Sequence, residues 1–390
     1  MRRHFAFASL LSLLVACGDG GHADAGVDAA ADAGLDASAD AGTDAPVVTC
    51  FVDGGFPAPV TGHCRSVITD DAALGRMGSD SDGGFIVPDG RRVTLSAGVR
   101  VPLTSGFPMR SLIVPGTHFV VVTDGGIEDE HLIVVDLDTG TVVTDVPFVE
   151  GSDHAALFLG MASSGAGATR RLWLSGGGSN HVFAYDLDTA TGALTPVTGG
   201  DLLVDRPTSM QGYVSGLALL PDGHTIIANL LLGQQIVFLD TTTGTELAAL
   251  SLGLDYPYDL VLSPDGTKAY VSLWGAHAVQ VVDTVARTLG SRITVGKNPE
   301  GLALSPDGTT LAVACPADDS FALVDVATRT FRITVSVSST PLRGSSPSSV
   351  AYGADGSLYV TLAGDNAVQV FAPDSGTVGL ASAGRVPTMW

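Results

Sequence analysis

The stretch YPYDLVLSPDGTKAYVSLWGAHAVQVVDT at residues 256–284 decides the fold, because the chain repeats its pattern 42 residues later. The second copy reads NPEGLALSPDGTTLAVACPADDSFALVDV and spans residues 298–326. Both contain S-P-D-G, which places Pro and Gly where a type I turn between two strands prefers them. Related turns carry aspartates spaced 43, 42 and 48 residues apart, at Asp222, Asp265, Asp307 and Asp355. Repetition at this period indicates a repeat architecture.

Each repeat contains four apolar stretches of strand length. One precedes the turn and one follows it. A third ends in an aspartate, as AVQVVD does at Asp283, and a fourth such as GSRITVG comes next. Four short strands in a tandem unit of about 45 residues are typical of a propeller blade. The sequence therefore predicts an all-β protein, a β-propeller of four-stranded blades over residues 85–390.

The repeats resemble the YVTN-type propeller repeat, with its P-x-G-[LV]-A-[LF]-S-P-D-G, Y-V-[AST] and V-x-V-[IV]-D elements. The likeness covers residues 107–387, weakly at 154–180 and most closely from residue 214 onward. The run is also similar to the propeller that precedes an alkaline-phosphatase-like phosphoesterase domain in bacterial fusion proteins. In those proteins a segment like GRVPTMW opens the last blade. The resemblance implies a propeller that lacks the enzyme half.

The number of blades follows from how the repeats are counted. Six units are recognisable, and RVPTMW at residues 385–390 begins a seventh. The apolar stretches FIVP, RRVTLS and VRVPL, within residues 85–103, are suited to supply outer strands for it. We therefore predict a seven-bladed propeller with an incomplete closing blade. The alternative is a closed six-bladed ring.

The N-terminus has the features of an export signal. MRRHFAFASLLSLLVAC begins with two arginines and continues with an apolar run that is too short to span a bilayer. It ends in LVAC, which resembles the bacterial lipobox, so residues 1–16 are read as a lipoprotein signal peptide and Cys17 as the lipidated residue. Residues 17–46 are rich in Ala, Asp and Gly with almost nothing to bury, which predicts a disordered tether.

Two further cysteines lie in the lead-in segment at residues 47–84. Cys50 and Cys64 are separated by a Gly- and Pro-rich stretch of an exported chain, which favours a disulfide. Metal binding is the rival interpretation because His63 adjoins Cys64, but two Cys and one His fall short of a structural zinc set. Cys315, within LAVACP, is interpreted as a buried strand thiol.

A polar residue recurs just before the third strand of each unit. The six are Glu130, Asn180, Gln234, His277, Asp319 and Asn366. We expect them to cap the turn that leads into that strand by bonding backbone amides. Three histidines in these turns, His131, His181 and His277, are the kind of residues that bind metal, but neighbouring blades separate them. No metal site is assigned.

Ligands of propellers usually meet at the central channel, where the innermost strands begin. Aligning the repeats gives candidate ligand contacts at Arg110, Tyr258, Asp259, Glu300 and Ser348. Glu300 and Arg110 could form an ion pair or bind a small polar ligand. A plain solvated rim is the simpler interpretation, because a fold does not supply a function by itself.

Charge and motifs limit the function classes. A net charge of −22 argues against binding nucleic acid. The chain lacks G-x-S-x-G, H-E-x-x-H and a phosphate-binding G-x-x-x-x-G-K, so no catalytic residue and no cofactor are predicted. We therefore predict an envelope lipoprotein, anchored to the outer membrane and facing the periplasm or the surface. Its propeller would be a non-catalytic binding or scaffold module for a protein, peptide or glycan.

Two alternatives remain open at this point. One is a lactonase-like propeller hydrolase. The other is the detached propeller half of a split phosphoesterase.

Overall fold

The computed structural model describes residues 84–86, 92–94, 101, 103, 108–125, 130–148, 157–204, 212–338, 344–376 and 378–387. The chain divides into two compact units, Met1–Thr94 and Leu95–Trp390. In the first unit, β1 (Gly84–Ile86) and β2 (Arg92–Thr94) form an antiparallel hairpin. No helix in the described part of the chain has the length and apolar character that a membrane crossing requires.

The second unit consists of six antiparallel sheets, each formed by consecutive strands. Blade 1 contains β3 (Pro108–Ile113), β4 (Phe119–Asp124), β5 (Glu130–Asp136) and β6 (Thr141–Phe148). Blade 2 contains β7 (Met161–Ser164), β8 (Thr169–Ser175), β9 (His181–Asp188) and β10 (Leu194–Pro196), and β11 (Leu202–Leu203) also pairs with β9. Blade 3 contains β12 (Val214–Leu219), β13 (Thr225–Leu230), β14 (Gln235–Asp240) and β15 (Glu246–Ser251).

The remaining blades repeat this plan. Blade 4 contains β16 (Pro257–Leu262), β17 (Lys268–Leu273), β18 (Ala278–Asp283) and β19 (Thr288–Thr294). Blade 5 contains β20 (Leu302–Leu304), β21 (Thr310–Cys315), β22 (Ser320–Asp325) and β23 (Thr330–Ser336). Blade 6 contains β24 (Pro347–Tyr352), β25 (Leu358–Leu362), β26 (Ala367–Pro373) and β27 (Leu380–Pro387). Short 3-10 turns at Pro316–Asp318 and Ala363–Asp365 enter the third strands of blades 5 and 6.

The prediction of a β-propeller with four-stranded blades is confirmed, and the ring has six blades. The preferred count of seven was wrong, because the RVP of RVPTMW does not open a new blade. It belongs to β27, which pairs with β26 along its length and completes blade 6. Arg385 fixes this strand, since its guanidinium donates to Asp365 at 2.6 Å and to the Val337 carbonyl at 2.5 Å.

Part of the 85–103 stretch packs on blade 1. Val101 and Leu103 pack against Val122, Ile133 and Val135 of blade 1. Neither residue lies in a strand, so they cover this face of the blade without extending a sheet. The hairpin of β1 and β2 pairs only with itself. The predicted outer strands of a seventh blade are therefore not formed in the described residues.

The repeated turn has the conformation that its sequence predicts. In the 263–266 turn, the Ser263 hydroxyl donates to Asp265 at 2.6 Å, and Asp265 also accepts the Thr267 amide at 3.0 Å. These donors lower the pKa of Asp265 to about 2. Gly266 has a φ of +68°, which explains why glycine closes the motif.

The apolar core lies between neighbouring blades. Separate clusters join blades 1 and 2, 2 and 3, 3 and 4, 4 and 5, and 5 and 6. The first strands of successive blades contact one another and form the innermost layer. They approach so closely that a Cβ at Gly216 would lie 2.8 Å from the Asp259 Cα, and one at Gly301 would lie 2.8 Å from the Ser349 Cα. Glycine at these positions therefore allows neighbouring innermost strands to approach closely.

Candidate functional site: the mouth of the central channel

The residues that begin the innermost strands are displaced from the regular ladder. In blade 4 the register between β16 and β17 shifts between Pro257 and Leu260, which leaves Tyr258 and Asp259 in a bulge. The Ser272 hydroxyl accepts the Asp259 amide at 3.0 Å and holds this bulge. Bulges commonly aim side chains at functional sites. The same device recurs at Gly160 with Ser175 and at Ser349 with Thr361.

An ion pair joins blades that are three apart in the ring. Arg110 Nη1 in blade 1 donates to Asp259 Oδ2 in blade 4 at 2.9 Å. Asp259 is almost fully buried and also accepts the Leu260 amide at 2.8 Å, whereas 31% of the Arg110 side chain is exposed. The sequence analysis considered an ion pair of Arg110 with Glu300 as one possibility, whereas the partner in the structure is Asp259. Asp259 lies one residue further along its strand than the position that Glu300 occupies in blade 5, and it is the carboxylate that Arg110 reaches.

Three aromatic rings from blades 2, 3 and 4 meet beside this pair. The Phe158 ring packs edge-on against Tyr213, with centroids 5.1 Å apart, and against Tyr258, with centroids 6.1 Å apart. Burial and the nearby Glu130 raise the pKa of Tyr213 to about 12. Burial, followed by Glu300 and Asp259, holds the pKa of Tyr258 well above its usual value. Both phenols therefore stay neutral at physiological pH.

Two carboxyl groups at the mouth have pKa values near neutrality. Burial raises the pKa of Glu300 to about 8, and a hydrogen bond from the Trp274 side chain opposes this rise. Burial raises the pKa of Glu130 to about 7, opposed by the Leu157 amide that Glu130 Oε2 accepts at 2.5 Å. Shifts of this kind concentrate at functional sites, although structural networks also produce them.

The channel mouth is defined here by eight residues. They are Arg110, Glu130, Phe158, Tyr213, Tyr258, Asp259, Glu300 and Ser348. The five candidates from the repeat alignment lie at or beside the first residues of innermost strands. The structure brings Arg110, Tyr258, Asp259 and Glu300 together by ion pairing and electrostatic interaction. Ser348 is the second residue of β24, the corresponding strand of blade 6, and its hydroxyl lies 3.1 Å from that of Thr361.

Phe158, Tyr213 and Glu130 were not predicted as mouth residues. Phe158 and Tyr213 lie in the links that enter blades 2 and 3, where the repeat pattern is weak or interrupted. Glu130 belongs to the recurring polar set, and its contact with the amide of Leu157 depends on the next blade. A shared position in the repeat was the one available signal for Glu130. It gave no indication of this contact.

The recurring polar residues have a different role from the predicted one. The hydrogen bonds that their side chains accept come from backbone amides of the segment that leads into the next blade, and not from the turn of their own blade. Asn180 Oδ1 accepts the Tyr213 amide at 2.8 Å, and Asp319 accepts the amides of Gly344 and Ser346 at 2.7 and 2.8 Å. His277 Nδ1 lies 3.3 Å from the Asn298 amide. The capping prediction was wrong because successive blades bring each link alongside the preceding turn.

The histidines of these turns have local partners. His131 Nδ1 lies 2.6 Å from Asp145, and His181 Nδ1 lies 2.9 Å from the Ser179 carbonyl. Within the described residues, one group could converge on a metal ion, formed by His118, Asp136 and Asp138 on an exposed turn. Asp136 already accepts the backbone amides of Asp138 and Thr139. These hydrogen bonds of the turn explain why the acidic side chains lie close together.

The cysteines have separate outcomes. Cys315 is fully buried in β21, which confirms the interpretation as a strand thiol, and burial raises its pKa to about 12. It is therefore an unreactive thiol at neutral pH. Cys17, Cys50 and Cys64 lie outside the described residues, so lipidation and the disulfide stay predictions.

Comparison with solved structures agrees with the propeller fold. A virginiamycin B lyase from Staphylococcus aureus, solved as an inactive variant with quinupristin, matches with a TM-score of 0.54 at 14% identity, covering 72% of this chain and 84% of that one. A 6-phosphogluconolactonase-like protein from Bacteroides uniformis matches with a TM-score of 0.58 at 18% identity, covering 77% and 90%. Hydrazine synthase from Kuenenia stuttgartiensis matches with a TM-score of 0.55 at 18% identity, covering 75% and 89%.

Identities this low show the fold alone. Neither the scan against protein-family models nor the search of curated proteins found a match. The class that the fold defines is the β-propeller. The function of a propeller depends on the residues at its site and not on the fold.

Proposed function

We propose that this protein is an envelope-anchored lipoprotein whose propeller is a non-catalytic binding module, with the channel mouth as its ligand site. The observation that carries the proposal is the convergence of residues from different blades at one end of the channel. Arg110 pairs with the buried Asp259, and the rings of Phe158, Tyr213 and Tyr258 lie beside them. A few polar groups among aromatic walls are typical of a ligand site.

The chemistry of the mouth supports binding rather than nucleophilic catalysis. The Ser215 hydroxyl, at the start of β12, donates to the Pro257 carbonyl at 3.0 Å. The Ser348 hydroxyl is close to that of Thr361. The Cys315 thiol is buried and its pKa is raised. These groups serve the fold, and an activated nucleophile would need an adjacent base.

A ligand screen tests the binding role. The purified propeller is screened by thermal shift and NMR against saccharides, short peptides, amines and carboxylic acids. We expect binding of a hit to be lost in Arg110→Ala and in Tyr258→Ala, because both remove groups at the mouth. Lys268→Ala serves as the control, since Lys268 pairs with Asp283 at the far end of its blade. Equal binding by all three variants would place the ligand site elsewhere.

The anchor is tested separately in cells. Cys17→Ser should abolish incorporation of labelled fatty acid and leave the signal peptide uncleaved by the lipoprotein peptidase. Cys315→Ser is the matched control and should be labelled like the wild type. Labelled Cys17→Ser protein would reject the lipoprotein assignment.

A second candidate function is a propeller hydrolase of lactones, and Glu300 is the observation that favours it. A buried carboxyl with a pKa of about 8 is protonated at neutral pH and could act as a general acid. Turnover of lactones or phosphate esters that disappears in Glu300→Gln, while the variant keeps its fold, would establish this function. Activity that is unchanged in Glu300→Gln would exclude Glu300 as the catalytic acid.

A further inference from the structure

Two carboxyl groups at the channel mouth, Glu130 and Glu300, have no basic partner in the described part of the chain. Their neighbour Asp259 is paired with Arg110 at 2.9 Å, and Lys297, three residues before Glu300, lies 3.7 Å from Asp318. Glu130 accepts a backbone amide, and Glu300 accepts the Trp274 side chain, so both partners are neutral donors. The mouth can therefore carry more negative than positive charge.

Aromatic rings lie next to these carboxyls. Tyr213 interacts electrostatically with Glu130, and Tyr258 interacts with Glu300 and with Tyr213. The Phe158 ring touches both tyrosines edge-on and orients them. The faces of aromatic rings carry partial negative charge, which adds to that of the carboxyls.

The charges of the mouth distinguish between ligand classes. An anion would have to share Arg110 with Asp259 and would be repelled by that buried carboxylate. A neutral ligand would leave Glu130 and Glu300 without a basic partner. A cation supplies that partner, and a net charge of −22 would attract it from a distance.

We propose that the channel mouth binds an organic ammonium group between the rings of Tyr213 and Tyr258 and the carboxyls of Glu130 and Glu300. The group can belong to a small amine or to a lysine side chain. This inference rests on the proposed function of the mouth as a binding site. Attraction to the ring faces and charge-assisted contacts with the carboxylates act together on such a ligand.

The proposal requires binding to depend on pH. In the free protein Glu300 is largely protonated and Glu130 partly protonated at neutral pH, because burial raises their pKa values to about 8 and about 7. An ammonium group favours their ionised forms, so binding releases protons and tightens as the pH rises from about 6 to about 9. The ion pair of Arg110 with Asp259 is the other charged pair at the mouth. The raised pKa values of Tyr258 and Cys315 keep those groups neutral.

The test compares choline with 3,3-dimethylbutan-1-ol, which has the same shape without the charge. Isothermal titration calorimetry of the wild-type protein should show choline binding at least tenfold more tightly than the alcohol. Titrations in two buffers of different ionisation enthalpy should show proton release at neutral pH. N-acetyl-lysine amide is titrated alongside, because tighter binding of choline indicates a small amine and tighter binding of the lysine derivative indicates a lysine side chain.

Variants locate the effect. The double variant Glu130→Gln, Glu300→Gln should bind choline at least tenfold more weakly than the wild-type protein, and its binding should release no protons. Glu246→Gln, on the outer strand β15, changes a carboxyl in the same way and should leave both unchanged. Circular dichroism and melting curves check that the variants fold. The titrations of the wild-type protein test the proposal even if a variant does not fold.

Two different failures can be told apart. Equal binding of choline and the alcohol, or binding without proton release, overturns the ammonium proposal but leaves the mouth as a site for another ligand. Binding of every probe that survives Arg110→Ala and Tyr258→Ala overturns the proposed function itself.

Discussion

Blades 4 and 6 are built from the same repeat, yet their second strands are buried differently. In β17 of blade 4 every residue after Lys268 is buried, because neighbouring blades cover both faces. In β25 of blade 6, Leu358, Val360 and Leu362 are buried, while the intervening Tyr359 is 40% exposed. The difference shows that the burial of a strand residue depends on whether a neighbouring blade covers the face on which its side chain lies.

The alternation in blade 6 identifies where the ring closes. Blade 5 covers the face that carries Val360 and Phe371, and the opposite face carries Tyr359 and Val370. Every blade is formed by strands consecutive in sequence, so none combines strands from the two ends of the chain. Among the described residues no apolar cluster joins blade 6 to blade 1. Among the described residues, this seam is therefore the interface between neighbouring blades that lacks a shared apolar cluster.

The largest expected effect comes from the two faces of blade 6. Phe371→Ala removes a buried ring that packs edge-on against Phe321 with centroids 5.0 Å apart, and should cost about 3–5 kcal/mol of unfolding free energy. Tyr359→Ala on the seam face should cost less than about 1 kcal/mol. Urea unfolding measures both. Similar losses would mean that the seam face is as tightly packed as the face toward blade 5.

A smaller effect is expected from the side chains that link a turn to the next blade. Asp319→Ala leaves two amides of the link into blade 6 without their acceptor and should cost about 2–3 kcal/mol. Asn180→Ala removes one such bond, so it should cost about 1 kcal/mol less than Asp319→Ala does. Both residues have a positive φ, so the backbone strain of alanine is common to the pair. If both variants melt at the temperature of the wild-type protein, these hydrogen bonds do not stabilise the connection between successive blades.

Acid–base behaviour should contrast the turns with the channel mouth. Asp265 has a lowered pKa, so its stabilising contribution is lost as the pH falls from about 4 toward 2. Glu300 has a raised pKa of about 8. Between about pH 5 and pH 8 its carboxyl is therefore neutral in the folded protein and ionised in the unfolded chain. Stability should therefore fall between about pH 5 and pH 8, by on the order of 4 kcal/mol.

The Glu300→Gln variant isolates the mouth in this comparison. It should reduce the decline above pH 5 to the part that Glu130 contributes through its own raised pKa, and it should leave the acid limb unchanged, as followed by melting temperature across pH. Asp265→Asn is the reciprocal control and should affect only the acid limb. A decline above pH 5 that is as steep in Glu300→Gln as in the wild-type protein would show that Glu300 does not contribute to it.

The smallest effect is expected from the cysteines of the lead-in. A disulfide between Cys50 and Cys64 closes a short loop before the propeller, so its reduction should change the main unfolding transition by less than about 0.5 kcal/mol. Mass spectrometry of exported protein under non-reducing conditions checks the bond first. Two free thiols would reject it, and a large shift in melting on reduction would contradict the expected independence.

The candidate site could be predicted in part. Alignment of the repeats gave Arg110, Tyr258, Asp259 and Glu300, because residues at equivalent positions of the innermost strands reach the channel together. It missed Phe158 and Tyr213, which lie in links where the repeat pattern is interrupted. It did not indicate which carboxylate Arg110 contacts. The ion pair with Asp259 depends on which blades face each other across the ring, and one repeat holds no information about that.

The sequence by itself determined the blade. Alternating apolar strands and the S-P-D-G turn fix a four-stranded antiparallel unit through local hydrogen bonding, as the bonds around Asp265 show. Tertiary structure alone decided how many blades close the ring and which strands complete the last one. RVP resembles the start of a new blade, but it has a free edge of β26 beside it and pairs there as β27. A strand joins whichever edge leaves the fewest backbone groups unpaired, and that edge exists only once the blade has formed.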